Sequence, residues 1–73
     1  MSGFEDDTLL TWEQTPQQVR AAVIEAAGGL PRGHTIWRCP RRKRGGWFKP
    51  DTVVIEYWWE DEDGNLIDAF WLE

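Results

Sequence analysis

The sequence predicts an α+β fold in which one helix packs on an antiparallel sheet of three or four strands, in the order (β)αβββ. Residues 52–60 are rich in β-branched and aromatic types, and residues 66–72 are apolar apart from one aspartate, as in two strands of a hairpin. A helical pattern occupies 16–27, and 34–39 has strand composition. A chain of 73 residues has room for a single domain, spanning the whole sequence.

Helix 16–27 carries the clearest local signals. Thr15 suits the N-cap, Pro16 suits the first helical position, and Gln18 completes a Thr-x-x-Gln capping box. Apolar side chains then recur at helical spacing, at Val19, Ala22, Val23 and Ala26. Gly28 and Gly29 end the pattern. Before the helix, residues 1–7 are expected to be a disordered tail, and 8–12 either form a short edge strand or lead into the helix.

The C-terminal hairpin allows a register to be predicted. Glu62-Asp63-Gly64 suits a three-residue loop with glycine in the left-handed conformation, which would pair Asp61 with Asn65. In that register the odd-numbered residues share one face and form the core side against the helix. This predicted core face comprises Val53, Ile55, Tyr57, Trp59, Ile67, Ala69 and Trp71.

The even-numbered face of the predicted hairpin mixes apolar and acidic side chains. It places Glu56 and Trp58 beside Asp68 and Phe70, and aromatic residues ringed by acids are typical of an interface. We therefore predict these four residues as partner-binding. The alternative is that the N-terminal strand or Trp47-Phe48 folds over them.

Charge is divided unevenly along the chain, whose net charge is −5. Residues 26–50 contain seven basic residues and no acidic one. Four of the seven are consecutive, Arg41, Arg42, Lys43 and Arg44, within an expected exposed loop at 40–50. Either Trp47 and Phe48 anchor this loop onto the body, or the loop is a hairpin tip with 34–39 and 47–49 as its arms. Either the two halves of the chain neutralise each other, or these four cations bind an acidic protein surface or phosphates.

Catalytic and metal-binding chemistry have little support. His34 and Cys39 provide the only imidazole and thiol, and five residues apart on a strand they point to opposite faces. The sequence from Asp61 to Asn65 begins like a calcium loop, but Leu66 occupies the position that requires glycine. We expect a non-enzymatic protein with no cofactor and no metal.

The remaining expectations concern compartment and assembly. A single cysteine excludes an intramolecular disulfide, and neither a signal peptide nor an apolar stretch of about 20 residues is visible. These features predict a cytoplasmic protein that has no membrane partner. We also expect the protein to be monomeric when free.

In size, acidity and charge segregation over the whole chain, the sequence resembles the small phage-encoded regulators of host RNA polymerase. The resemblance implies a protein that binds a subunit of bacterial RNA polymerase and inhibits or redirects transcription. Arg41–Arg44 would then meet an acidic polymerase surface or nearby nucleic acid, and the acidic hairpin would meet a basic one.

Two other functions remain open. A helix, a sheet and a basic loop also occur in small DNA-binding proteins, although helix 16–27 has few cations for a recognition helix. The eight acidic residues of 51–73, with no basic one among them, alternatively suit a DNA mimic that inhibits a host nuclease.

Overall fold

The computed structural model describes residues 7–72 and confirms the α+β class. Four strands form one antiparallel sheet in chain order, with the helix inserted between the first two. The elements are β1 (Thr8–Leu10), α1 (Gln17–Ala27), β2 (Thr35–Lys43), β3 (Thr52–Glu60) and β4 (Leu66–Leu72). The expected tail at 1–7 lies outside the described residues except for Asp7. Within 7–72, no helix has the length and apolar character needed to cross a membrane.

The start of α1 differs from the prediction. Pro16 is the N-cap and no side chain caps the helix, because the buried Thr15 hydroxyl instead donates a hydrogen bond to the carbonyl of Thr11, at 2.8 Å. The capping box forms one turn earlier. Gln14 N–H donates to the Thr11 hydroxyl, and Thr11 N–H donates to the Gln14 side-chain oxygen. The sequence Thr-x-x-Gln occurs twice here, and the first copy forms the box.

The core lies between α1 and one face of the sheet. Val19 and Val23 of the helix pack on Ile36, Tyr57 and Trp59, and all five side chains are buried. The prediction that α1 covers the odd-numbered residues of β3 is therefore confirmed for Tyr57 and Trp59.

Val53, however, was wrongly assigned to the core, since it is 55% exposed. The helix has eleven residues and is about 16 Å long, whereas β3 has nine and extends about 30 Å, so α1 is too short to cover the whole strand.

The predicted turn of the β3–β4 hairpin is confirmed, but the predicted register is not. Asp61 N–H donates to the Asn65 carbonyl at 2.9 Å, and Gly64 has φ +82°. A β-bulge then follows. Glu60 pairs with Leu66, whereas Trp59 pairs with Asp68, so Ile67 is an extra residue without a partner on β3.

The bulge exchanges the two faces of β4. Phe70 and Leu72 pair with Tyr57 and Ile55 and pack against the core, on the side for which Ala69 and Trp71 were predicted. Ile67 and Trp71 are 44% and 62% exposed. Assigning Phe70 and Asp68 to the face of Trp58 was therefore wrong.

Strand β2 is longer than the predicted 34–39. It continues through Pro40 to Lys43, and Arg41, Arg42 and Lys43 pair with Val54, Val53 and Thr52. The expected loop at 40–50 is thus confined to 44–51. Pro40 is tolerated because, within 7–72, no pair with β1 extends beyond Arg38, so this part of β2 is paired on one side only.

Candidate functional site

The face of the sheet opposite α1 carries the main candidate site. Residues that pair directly across strands share a face of the sheet, and successive residues of a strand point to opposite faces. Trp58 directly precedes the core residue Trp59 and therefore lies on the face away from α1. We call this surface the open face: Leu9, Trp37, Cys39, Arg41, Val54, Glu56, Trp58, Ala69 and Trp71. Within residues 7–72, α1 is the only helix, and it packs on the opposite face.

A row of polar and aromatic contacts crosses the open face. The guanidinium of Arg41 makes two hydrogen bonds to the Asp7 carboxylate, at 2.9 and 3.4 Å, and lies 5.6 Å from the ring centroid of Trp58. The Glu56 carboxylate accepts the indole N–H of Trp58 at 2.9 Å and that of Trp71 at 3.0 Å, one on each oxygen. We call these five residues the open-face cluster.

The cluster fixes the orientation of large side chains that would otherwise rotate freely. One carboxylate holds two indoles from neighbouring strands, and an arginine is held over one of them by a carboxylate from the sheet edge. Ordering these side chains before binding lowers the entropy cost of forming an interface. Hydrogen bonding to Arg41 also lowers the pKa of Asp7, so this ion pair persists to more acidic pH than an isolated aspartate would allow.

A cavity of about 180 Å³ opens at the cationic end of the cluster. It is lined by Arg41, Arg42, Lys43, Val54, Glu56 and Trp71. Each Glu56 oxygen already accepts one indole hydrogen, so the cavity offers a ligand mainly its cations and apolar surface. Such a cavity suits an apolar side chain next to a carboxylate.

The structure gathers some of the predicted site residues and separates others. Arg41, Glu56 and Trp58 meet in the cluster, whereas Phe70 packs against the core. Asp68, which faces the α1 side, accepts the N–H of Ala69 at 2.8 Å.

Lys43 and Arg42 border the cavity, and Arg44 lies in the loop beyond β2.

The sequence did not predict Trp71 and Trp37 as site residues. Alternation along β2 from Ile36 could have placed Trp37 on the open face, but Trp71 depends on the bulge.

The two side chains considered for catalysis lie on opposite sides of the sheet. His34 Nδ1 accepts the indole N–H of the core residue Trp59 at 3.0 Å, and its Nε2 lies 3.0 Å from the Glu62 carboxylate. These contacts require the neutral tautomer with hydrogen on Nε2, because Nδ1 is the acceptor. His34 therefore links the core to the β3–β4 turn.

Asp61 also has a structural partner. Its carboxylate accepts the backbone N–H groups of Asn65 and Asp63, both at 2.9 Å, and these bonds lower its pKa. The resemblance of 61–65 to a calcium loop is thus explained by an aspartate that closes the turn with its own backbone.

Cys39 is buried beneath the open face, 1% exposed. Burial raises the pKa of its thiol to about 11, and the nearby Asp7 carboxylate acts in the same direction.

We expect iodoacetamide at about pH 8 to alkylate Cys39 at least tenfold more slowly in the native protein than in urea, because the thiolate is the reactive form. Equal rates in the two conditions would contradict the burial.

The same shift has a consequence for stability. The folded state holds the thiol proton more tightly than the unfolded state, so the stabilisation is complete below about pH 9 and is lost as pH rises towards 11. Urea unfolding across this range should show a smaller alkaline loss in Cys39→Ala than in the wild type.

Searches of protein-family models, curated proteins and solved structures find no match to this chain, so its function must be argued from the site itself.

Proposed function

We propose that this chain is a non-enzymatic protein-binding module and that the open-face cluster is the centre of its interface. The observation that carries the proposal is the Glu56 carboxylate, which orients Trp58 and Trp71 on a sheet face that α1 does not cover. Tryptophan and arginine are the side chains most enriched at the energetic centres of protein interfaces, and here an arginine and two tryptophans are in one ordered row.

The cluster suits a protein partner better than stacked bases. Arg41 lies over the Trp58 ring, so that ring is not free to stack on a base. An apolar protein surface with an acidic rim fits both the exposed Trp71 and the cationic cavity.

The two alternative functions receive less support from the contacts. Duplex binding through the basic segment would lose one of its four consecutive cations, because the Arg41 guanidinium is already paired with Asp7. A DNA mimic needs free carboxylates on its surface. Glu56 is bonded to two indoles, and one oxygen of Asp61 is bonded to two backbone amides, so these two acids have fewer acceptor sites left for a partner.

The first test compares substitutions on and off the open face. We expect Trp71→Ala, and separately Glu56→Leu, to lower partner affinity about tenfold or more, because both disrupt an ordered aromatic anchor. Ile24→Ala is the matched control, since Ile24 is an apolar side chain of α1 that is 50% exposed away from the sheet. Circular dichroism would confirm that each variant is folded. Equal affinities for Trp71→Ala and wild type would refute the proposed interface.

The resemblance to phage regulators supplies the partner to test first, a subunit of RNA polymerase in the host bacterial cytoplasm. We propose that binding inhibits or redirects transcription. Biolayer interferometry with purified polymerase core enzyme should show binding that Trp71→Ala weakens, and in vitro transcription should show the effect. If polymerase does not bind but another protein is captured in a Trp71-dependent manner, the polymerase proposal fails and the open-face interface stands.

A further inference from the structure

The loop between β2 and β3 exposes two large aromatic side chains that pack on nothing but each other. Trp47 and Phe48 are each 96% exposed, and their ring centroids are 6.2 Å apart with the planes tilted by 43°. We call residues 44–51 the hairpin tip. Burial of such rings in an apolar medium is strongly favourable. Their exposure at the end of the molecule therefore indicates that they bind to another surface.

The hairpin tip is held in a defined shape. Gly45 N–H donates to the Asp51 carboxylate at 2.9 Å, and Lys49 N–H donates to the Gly46 carbonyl at 3.3 Å. A Cβ at Gly45 would collide with the carbonyl oxygen of Lys49, so this close approach requires glycine. The loop therefore presents its aromatics from a closed turn.

Cations surround the aromatic pair. Arg42, Lys43 and Arg44 precede it, and Lys49 follows. None of these four forms an ion pair with any residue of 7–72, unlike Arg41, which is bonded to Asp7. The tip, together with Arg42 and Lys43 at the adjoining end of β2, therefore combines exposed apolar rings with available positive charge, which is the combination found in segments that bind an anionic membrane surface.

Among residues 7–72, one acidic residue lies within the tip, Asp51, whose carboxylate accepts the Gly45 N–H, so it offsets only part of this positive charge. The acidic turn that contains Asp61 and Glu62 lies at the far end of β3, about 27 Å from the tip for a strand running from Thr52 to Glu60. This separation is more than three Debye lengths at physiological salt, about 8 Å each. Within residues 7–72 the tip end is thus mainly basic and the turn end mainly acidic, and a negatively charged membrane would attract the tip and repel the turn.

From these features we infer that the hairpin tip binds the headgroup region of an anionic lipid bilayer, with Trp47 and Phe48 entering the interface and the four cations contacting lipid phosphates. Exposed Val53, next to the tip on β3, adds apolar surface on the arm that lacks cations. The interaction is peripheral, and it departs from the expectation of no membrane partner, which considered only segments long enough to span a bilayer. It uses none of the five residues of the open-face cluster, although Arg42 and Lys43 also line the cavity beside the cluster.

Duplex DNA is the competing anionic ligand, and the tip geometry favours lipid over it. The two tilted rings together form a broader apolar surface than the single side chain that wedges between base pairs, and tryptophan is enriched at membrane–water interfaces. The β3 arm beside the tip also offers Val53 and Val54, whose side chains do not bind phosphate.

The test uses full-length protein and vesicles of phosphatidylglycerol and phosphatidylcholine, with pure phosphatidylcholine vesicles for comparison. We expect sedimentation with the anionic vesicles only, and partitioning that falls several-fold between about 0.05 and 0.5 M salt. The double variant W47A/F48A should partition on the order of tenfold more weakly. Because these side chains are 96% exposed, the variant should fold normally, as circular dichroism would show.

Two further variants sharpen the result. Trp47→Phe should still bind, but brominated lipids should quench its fluorescence far less than that of the wild type, because Trp47 is the indole that enters the bilayer. Trp71→Ala, which removes an exposed indole from the open-face cluster, should bind vesicles normally. The Trp71→Ala variant therefore distinguishes a failure of the membrane proposal from a failure of the proposed protein-binding function.

The inference is overturned if the wild type does not sediment with anionic vesicles, or if W47A/F48A sediments as well as the wild type. It is also overturned if the wild type shifts random duplex DNA, W47A/F48A abolishes that shift, and anionic vesicles are not bound.

Discussion

Trp59→Ala is expected to lower the free energy of unfolding by about 3–5 kcal/mol, the cost typical of removing a buried aromatic side chain. Trp59 is 4% exposed, packs on Val19, Val23 and Ile36, and donates its indole hydrogen to His34. A domain of this size is stabilised by only about 4–11 kcal/mol in total. The substitution therefore removes a large part of the stability, and urea unfolding followed by circular dichroism would measure the loss.

Two control variants, Trp47→Ala and Trp59→Phe, allow the loss measured for Trp59→Ala to be attributed to the core. Trp47→Ala should change the unfolding free energy by less than about 0.5 kcal/mol, since Trp47 contacts little of the chain. Trp59→Phe should lie between the two, because it keeps most of the apolar volume but leaves His34 Nδ1 without its donor. Similar losses for Trp59→Ala and Trp47→Ala would show that the core is not where the structure places it.

Phe70→Ala is expected to cost about 2–3 kcal/mol, and Trp71→Ala about 1 kcal/mol or less. Phe70 is partly buried against the core and pairs with Tyr57, whereas Trp71 is 62% exposed and loses mainly its hydrogen bond to Glu56. The register predicted from sequence gives the opposite order, since it places Trp71 in the core. The same unfolding measurement therefore decides between the two registers.

A complementary observation uses fluorescence. Acrylamide should quench less of the total tryptophan emission in Trp71→Ala than in the wild type, because the variant lacks an accessible indole. If Trp71→Ala instead destabilised the fold more than Phe70→Ala, the bulge at Ile67 would be contradicted.

The elements of the fold could be predicted from the sequence because their signals are local. Glycines end α1, and Gly64 permits the left-handed residue of the β3–β4 loop, with φ +82°. The apolar positions Val19 and Val23 fall on one side of the helix, and Tyr57 and Trp59 alternate along β3. Each of these features depends on a few neighbouring residues.

The faces of β4 could not be predicted because they depend on a single unpaired residue. Leu66 to Leu72 is apolar on both faces except for Asp68, so alternation does not reveal where a residue is skipped. The actual pairing brings Phe70 and Leu72 to the helix side and Trp71 to Glu56. The position of Trp71 in the open-face cluster follows from that shift.

The extent of β2 was missed for a different reason. Pro40 and three following cations resemble a loop by composition, yet the partner residues Val53 and Val54 on β3 extend the ladder to Lys43. A strand paired on one side can accept a proline and long charged side chains that a central strand would exclude. Pairing with β3 therefore determined the structure of this segment, although its composition is typical of a loop.

Because Ile67 is unpaired, the hairpin should tolerate the loss of a residue at position 67 better than the loss of a residue elsewhere in β4. Removing that residue would leave Glu60 opposite Leu66 and Trp59 opposite Asp68, with every later side chain of β4 on its present side. Removing a residue between Asp68 and Trp71 would instead turn the rest of the strand over and exchange core for surface. Chains that share this architecture can thus differ by one residue at position 67 and retain the same arrangement of tryptophans.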